Sequence, residues 1–341
     1  MQISFISIST AFELIFAFLV AVLVIVLSGS KLSHYGDALA IRTKIGSGLI
    51  GALFLATVTS LPELAVSISA LLKEPLAVGP DLAVGNMLGS NLFNLFILGL
   101  AGLVFTPKLK QVKQSELHQK ILLQSLILLI IVFIAYSYPS TSLSFIHVNW
   151  LLLILPIAYV FFLKKNAIQE EEKDPQVIQT CQSKIVNDST PLFYTKLILL
   201  SLIIIGAGIF LSTLGSQMAL PVQQGGFGLQ ASFVGTLFLA LSTSLPELVI
   251  AFTCLRYGLA DMAVGNIIGS NLFNLLILCL CDLLLKENLL LNHVSSNHQL
   301  SFSFIATLSL FGLLILRYPK TIRIGSFLII LIYFFVMLIQ S

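Results

Sequence analysis

Residues Phe54 to Leu64 read Phe-Leu-Ala-Thr-Val-Thr-Ser-Leu-Pro-Glu-Leu, and nearly the same string, Phe-Leu-Ala-Leu-Ser-Thr-Ser-Leu-Pro-Glu-Leu, returns at Phe238 to Leu248, 184 residues further on. A second string, Gly-Asn-Met-Leu-Gly-Ser-Asn-Leu-Phe-Asn-Leu, begins at Gly85 and returns as Gly-Asn-Ile-Ile-Gly-Ser-Asn-Leu-Phe-Asn-Leu from Gly265, 180 residues further on. Identity of this length in the same order indicates that the chain contains two copies of one structural unit.

The composition around these strings is that of an integral membrane protein. Hydrophobic residues make up 57% of the 341 residues and charged residues only 10%, whereas soluble domains carry about 25% charged residues. A membrane-spanning helix needs roughly 20 apolar residues, and ten windows of about that length carry at most one charged residue each. They lie at 10–30, 45–72, 82–105, 121–138, 147–163, 194–219, 230–255, 262–285, 299–317 and 322–340. Continuous apolar runs of this length are helices, since membrane strands alternate in polarity, so the sequence predicts an all-α integral membrane fold with ten transmembrane helices.

Each copy holds five of these windows. An odd number makes the second copy enter the membrane from the opposite side, so the pattern predicts two inverted five-helix repeats. We expect the first repeat at residues 1–164, a polar cytoplasmic linker at 165–193 and the second repeat at 194–341.

The basic residues predict the orientation. With the N-terminus outside, sixteen of the eighteen Lys and Arg residues fall in cytoplasmic loops, and only Lys73 and Lys286 fall outside. No basic segment precedes the first window, which therefore reads as a retained helix and not as a signal peptide. This pattern predicts a multi-pass protein of the cell membrane, in particular of a prokaryotic inner membrane. The net charge of +3 is dispersed, which argues against a nucleic-acid partner.

Within each repeated string a proline precedes a glutamate. Pro62 and Pro246 are expected to interrupt their helices and to free carbonyl groups around Ala56 to Thr59 and Ala240 to Thr243. The glycines of the second string, by contrast, read as points of close helix approach.

The two glutamates are the most informative residues. Glu63 and Glu247 lie well inside their windows, where an unpaired carboxylate costs several kcal/mol. No Lys or Arg lies in a predicted helix core. The charge must therefore be met by a bound cation, by protons, or by both in turn. The alternative is a permanently protonated pair with a structural role.

Oxygen donors surround these acids. A hard cation such as Ca²⁺ takes six to eight oxygen ligands, and two carboxylates neutralise its charge. Histidines lie near loops and the four cysteines read as free thiols, which disfavours zinc or copper. Helical spacing favours Ser90, Asn94, Ser270 and Asn274 as direct ligands, because residues four apart share one face. Asn86 aligns with Ser90, whereas Asn91 lies about 100° away around the helix. Asn86, Asn91 and their second-copy counterparts more often cap or bridge helices.

At these strings the chain resembles the cation/calcium antiporter superfamily, in particular its prokaryotic sodium/calcium exchanger branch. The resemblance implies ten helices, an outside N-terminus, cation sites clustered at the midplane and exchange of Na⁺ for Ca²⁺ by alternating access. It implies no cofactor beyond the transported ions and no enzymatic activity. The ligands it implies are Glu63, Glu247, Ser60, Ser244, Thr59, Thr243, Ser90 and Ser270 with the carbonyls of Ala56 and Ala240.

One departure from the family pattern concerns a third acid. Where such exchangers often carry aspartate in the second copy, this chain has Asn274, matching Asn94 in the first. Only two charges then serve the ions, which weakens any expectation of potassium co-transport.

Other functions were weighed against Na⁺/Ca²⁺ antiport. Ca²⁺/H⁺ antiport is its nearest alternative, because a proton can replace Na⁺ on the same glutamates. A passive channel would need a filter-like ring, and an intramembrane hydrolase would need a base beside Ser60 or Ser244, where no histidine partner is found.

Overall fold

The computed structural model describes residues 11–73, 76, 79–112, 115–138, 142–143, 146–171, 188–219, 242–285, 290–294 and 298–340. Apart from two short antiparallel strands, β1 (Ser142–Leu143) and β2 (Ile146–Asn149), the regular structure in these ranges is helical. The α-helices are α1 (Ala11–Thr43), α2 (Ser47–Ile50), α3 (Ala56–Lys73), α4 (Gly79–Val104), α5 (Thr106–Leu109), α6 (Ser115–Ser137), α7 (Trp150–Glu171), α8 (Thr190–Ala219), α9 (Leu245–Arg256), α10 (Ala260–Leu284), α11 (His298–Arg317) and α12 (Ile322–Gln340). Short 3₁₀ turns occupy Leu290–His293 and Pro319–Thr321.

Eight helical segments in the described ranges are long and apolar enough to cross a membrane. They are α1, the continuous stretch Ser47–Lys73, α4, α6, α8, α10, α11 and α12. The predicted window at 147–163 corresponds to helix α7, which starts only at Trp150 and runs on into the charged residues after 163. Of the window at 230–255, residues 230–241 lie outside the described residues, and the remainder forms α9. The predicted all-α membrane fold is thus confirmed at this level.

The two prolines do not act alike. Helix α3 continues without a break through Pro62, so the predicted interruption there is wrong. The irregular segment lies upstream instead, where Gly51–Leu55 forms a π-helical turn between α2 and α3. Pro246 stands in the first turn of α9, directly after Ser244 leaves helical geometry. A proline costs little in a first turn, because the N–H that it lacks would have no helical partner there.

Helix α10 runs through the centre of the protein. It contacts α3, α4, α6, α7 and α9 and the segment Ser47–Leu55, and nearly every residue along it is buried. The close approach to Ser47–Leu55 depends on glycine: a Cβ on Gly265 would overlap the carbonyl oxygen of Gly48, and one on Gly269 would overlap that of Ala52. The predicted role of these two glycines as points of close approach agrees with this packing.

Helices α1 and α8 pack against each other beside this centre. They share a separate apolar cluster that includes Ile25 and Leu211, and they also contact α9 and α3. Gly208 of α8 passes over both prolines, since a Cβ there would come within 2.6 Å of the Pro62 ring and 3.7 Å of the Pro246 ring. The first helices of both copies therefore cover the helices that carry the glutamates.

Two histidine–aspartate pairs tie the copies together at equivalent positions. His118 Nε2 lies 3.1 Å from Asp261 Oδ1, joining α6 to α10, and His298 Nε2 lies 3.1 Å from Asp81 Oδ1, joining α11 to α4. Both histidines and both aspartates are related by the 180-residue offset of the second repeated string. Each pair therefore connects one copy to the other. The pairs differ in burial: the His118 side chain is 0% exposed and that of His298 is 16% exposed.

This difference predicts unequal losses of stability. We expect His118→Ala to lower the free energy of unfolding by about 2–3 kcal/mol, because a buried polar partner is removed. We expect His298→Ala to cost about 1 kcal/mol or less, because water can replace its contact with the half-exposed Asp81. Thermal unfolding of the two purified variants in detergent measures the difference. Equal shifts in melting temperature would contradict the assignment of burial.

Candidate cation-binding site

The helices that carry the first repeated string in each copy, α3 and α9, bring their glutamates close together in the buried interior. Glu63 on α3 and Glu247 on α9 are both 0% exposed and interact electrostatically with each other. Each accepts a hydrogen bond from the serine of the other copy: Ser60 Oγ donates to Glu247 Oε1 at 3.3 Å, and Ser244 Oγ donates to Glu63 Oε1 at 3.2 Å. The two bonds are related by the 184-residue offset, so the copies hold each other's carboxylates reciprocally.

Thr59 connects this pair to α10. Its hydroxyl lies 3.3 Å from Ser270 Oγ and 3.4 Å from Asn266 Oδ1, and it donates to the carbonyl oxygens of Leu55 and Ala56 at 3.0 and 3.3 Å. The hydroxyls of Thr59 and Ser270 also face Glu247. Residues of three helices, α3, α9 and α10, thus meet at one polar cluster.

Several buried oxygen atoms of the two glutamates and of the predicted ligands on α4 and α10 have no hydrogen-bond partner among the described residues. These buried atoms are Oε2 of Glu63, Oε2 of Glu247, Oγ of Ser90, Oδ1 of Asn94 and Oδ1 of Asn274. An unpaired buried acceptor costs about 1–3 kcal/mol, and an unpaired charge costs more. Buried acceptors of this kind suit a cation, which needs oxygen lone pairs and brings compensating charge.

The structure locates all but one of the predicted ligands. Thr243 and Ala56 are fully buried next to the cluster, and the carbonyl oxygen of Ala56 accepts a hydrogen bond from Thr59. Ser90 and Asn94 lie one turn apart on α4, and Ser270 and Asn274 lie one turn apart on α10; all four are 0% exposed. Ala240 lies outside the described residues.

Two other asparagines of the first copy, Asn86 and Asn91, bridge helices. Asn86 Nδ2 donates to the carbonyl oxygen of Glu63 at 3.2 Å and to Ser67 Oγ at 3.0 Å. Asn91 Oδ1 accepts a bond from Asn274 Nδ2 at 3.0 Å. Ser67 was missed by the sequence analysis, although its position four residues after Glu63 places it on the same helix face.

The potential ligand atoms of the cluster are all oxygens. In the described part of the chain no lysine or arginine forms an ion pair with either glutamate, and no group of three or more His, Cys, Asp or Glu residues could hold a metal ion. The described cysteines, Cys254, Cys279 and Cys281, are free and buried. What the cluster offers is two carboxylates with neutral hydroxyl and amide oxygens, a set typical of hard cations.

The fold and this cluster define a multi-pass helical membrane protein built around two buried glutamates from related helices. Residues 13–165 and 193–341 match the family model described as "Sodium/calcium exchanger protein". The chain belongs to that family.

Individual relatives agree with the family assignment. The "Inner membrane protein YrbG" of Escherichia coli is 30% identical over 266 residues, which cover 76% of each chain. The "Putative antiporter CaxA" of Alkalimonas amylolytica is 28% identical over 76% of each chain. A solved structure of the sodium-calcium exchanger NCX_Mj superposes with a TM-score of 0.70 at 19% identity, covering 97% of this chain and 99% of that one. The last similarity shows a shared fold.

Proposed function

We propose that the protein is a secondary antiporter that exchanges Ca²⁺ for Na⁺ across the cell membrane by alternating access. The observation that carries the proposal is the reciprocal pair of serine–glutamate bonds, which leaves each buried carboxylate with one oxygen, Oε2, that no described residue satisfies. A divalent cation between Glu63 and Glu247 satisfies both oxygens and cancels both charges. The family membership supports the choice of ions.

The proposed ligand set extends from the glutamates to the neutral oxygens around them. It comprises Glu63, Glu247, Ser60, Ser244, Thr59, Thr243, Ser90, Ser270, Asn94, Asn274 and the carbonyls of Ala56 and Ala240. Strict exchange follows from charge, because an empty site would leave two carboxylates in an apolar interior, which costs several kcal/mol. The site therefore changes sides only when loaded with Ca²⁺ or with monovalent cations.

The proposed topology is ten transmembrane helices in two inverted repeats, at residues 1–164 and 194–341, with a cytoplasmic linker between them and the N-terminus outside. The two ranges that match the family model divide at the same place. The histidine–aspartate pairs support the inversion. The start of α4 meets the start of α11, whereas the start of α10 meets the start of α6, which follows the far end of α4. Equivalent helices α4 and α10 thus run in opposite directions.

Sodium dependence tests the proposed exchange. In proteoliposomes loaded with Na⁺, we expect ⁴⁵Ca²⁺ uptake that rises at least about 10-fold over vesicles loaded with K⁺ or choline at the same pH, because Na⁺ must leave for Ca²⁺ to enter. The control is Na⁺-loaded vesicles made permeable to Na⁺, in which the gradient and the uptake should both disappear. Uptake that is unaffected by the Na⁺ gradient would contradict Na⁺/Ca²⁺ antiport.

Ca²⁺/H⁺ antiport remains the second candidate, favoured by one observation. Because the third acid is replaced by Asn274, the described cluster holds only two carboxylates, and two protons neutralise them as completely as one Ca²⁺. In the same vesicles, Ca²⁺ uptake driven by an acid interior without Na⁺ would identify this mode. Uptake that needs Na⁺ and ignores the proton gradient would reject it.

A further inference from the structure

The side-chain amide of Asn274 is held from one end. Its Nδ2 donates to Asn91 Oδ1 at 3.0 Å, a contact between α10 and α4 that crosses from one repeat to the other. Its other end, Oδ1, has no hydrogen-bond partner among the described residues. Both side chains are buried, with Asn274 0% and Asn91 1% exposed.

We propose that Asn91 is a positioning residue that turns the amide of Asn274 so that its oxygen, and not its nitrogen, is presented to the cation; this inference rests on the proposed function. The two ends of an asparagine amide have nearly the same shape and opposite polarity. Carbonyl oxygen is a ligand for Ca²⁺ or Na⁺, whereas an NH₂ group in the same place repels either ion. A hydrogen-bond acceptor behind the amide decides which end faces the site.

This requirement is specific to asparagine at position 274. A carboxylate has an oxygen at both ends and would serve as a ligand in either rotation. The amide needs an acceptor behind it, and the described structure supplies one from α4. Ser270, one turn earlier on α10, points into the polar cluster beside Thr59, so the same helix face leads to the site.

The other repeat lacks the equivalent contact. Asn94 and Asn271 stand at the positions related by the 180-residue offset, yet no side-chain nitrogen or oxygen of either residue has a hydrogen-bond partner among the described residues. Among the described residues, Asn274 therefore has a partner that orients its amide and Asn94 has none. The inference accordingly concerns Asn91 and not its counterpart Asn271.

The test is a Ca²⁺ titration of the full-length purified protein, with the affinity read from isothermal calorimetry or ⁴⁵Ca²⁺ binding. Asn91→Leu keeps the volume and removes the acceptor, and we expect it to weaken Ca²⁺ binding about 10–100-fold, the usual effect of losing a group that orients a ligand. The decisive comparison uses Asn274→Asp as background. There we expect Asn91→Leu to change the affinity less than 3-fold, because either oxygen of the aspartate can face the ion.

A purely structural role for Asn91 gives a different result. If Asn91 were only structural, Asn91→Leu would weaken Ca²⁺ binding equally in the wild-type and Asn274→Asp backgrounds, or would lower the melting temperature in parallel with the affinity. Either outcome would overturn the inference. An unchanged Ca²⁺ affinity in Asn91→Leu would also overturn it.

Two further variants separate this inference from the proposed function. If the wild-type protein binds no Ca²⁺, or if the Glu63→Gln and Glu247→Gln variants bind it normally, both the proposed function and the inference about Asn91 are contradicted. If both glutamine variants lose Ca²⁺ binding while Asn91→Leu keeps the wild-type Ca²⁺ affinity, only the inference about Asn91 is contradicted.

Discussion

Glu63→Gln is expected to abolish Ca²⁺ uptake, and Glu247→Gln is expected to do the same. Glutamine keeps the shape and the hydrogen-bond acceptor of the side chain, so the serine that donates to each position retains a partner. What is lost is one of the two charges that would face a divalent ion in the proposed site. Leaving such a charge pair incomplete costs about 3–5 kcal/mol, which corresponds to a fall in Ca²⁺ affinity of roughly 10²–10⁴-fold.

Initial rates of Na⁺-driven ⁴⁵Ca²⁺ uptake in proteoliposomes measure this effect. The matched control is Glu116→Gln, which changes the same chemical group at an exposed position in the first turn of α6. It should transport Ca²⁺ at the wild-type rate. Normal exchange by either buried-glutamate variant would show that Ca²⁺ does not bind between the two acids.

The geometry around Glu63 and Glu247 could be anticipated from the sequence because it depends on repetition. Two related strings, each with a serine three residues before a glutamate, meet across the repeat interface, and the same side chains then satisfy each other reciprocally. The polar face of α10 followed in the same way from helical spacing. Periodicity and repetition are local properties of a chain, and local properties can be read without knowing which helices are neighbours.

The differences between the copies could not be anticipated. The helix around Pro62 is continuous, whereas the helical residues before Pro246 are interrupted at Ser244, although the residues around the two prolines are nearly identical. Asn274 has a partner in Asn91 while Asn94 has none in Asn271 among the described residues. These contrasts depend on which segment of the other copy packs against each string. Two nearly identical strings do not reveal such differences in tertiary packing.

Glycines of the second string carry the sharpest of these contrasts and give a second large expected effect. Gly269 of α10 lies against the backbone of the π-helical turn, and a Cβ there would come 2.6 Å from Ala52 Cα and still closer to the Ala52 carbonyl oxygen. Gly89 of α4 occupies the equivalent position in the first copy, and among the described residues, which exclude 220–241, a Cβ there would meet nothing within 4 Å apart from its own helix and chain neighbours.

Gly269→Ala should therefore destabilise the protein by about 3 kcal/mol or more, because backbone atoms cannot move aside as a flexible side chain can. Gly89→Ala should be neutral or stabilise its helix by up to about 1 kcal/mol, because alanine has the higher helix propensity. Thermal unfolding in detergent, followed by a thiol-reactive dye that reports exposure of the buried Cys254, Cys279 and Cys281, compares the stabilities of both variants. A Gly269→Ala variant as stable as Gly89→Ala would mean that α10 does not press against Ser47–Leu55 as closely as described. The site would then lose its support, since α10 carries Ser270 directly after this contact and Asn274 one turn after Ser270.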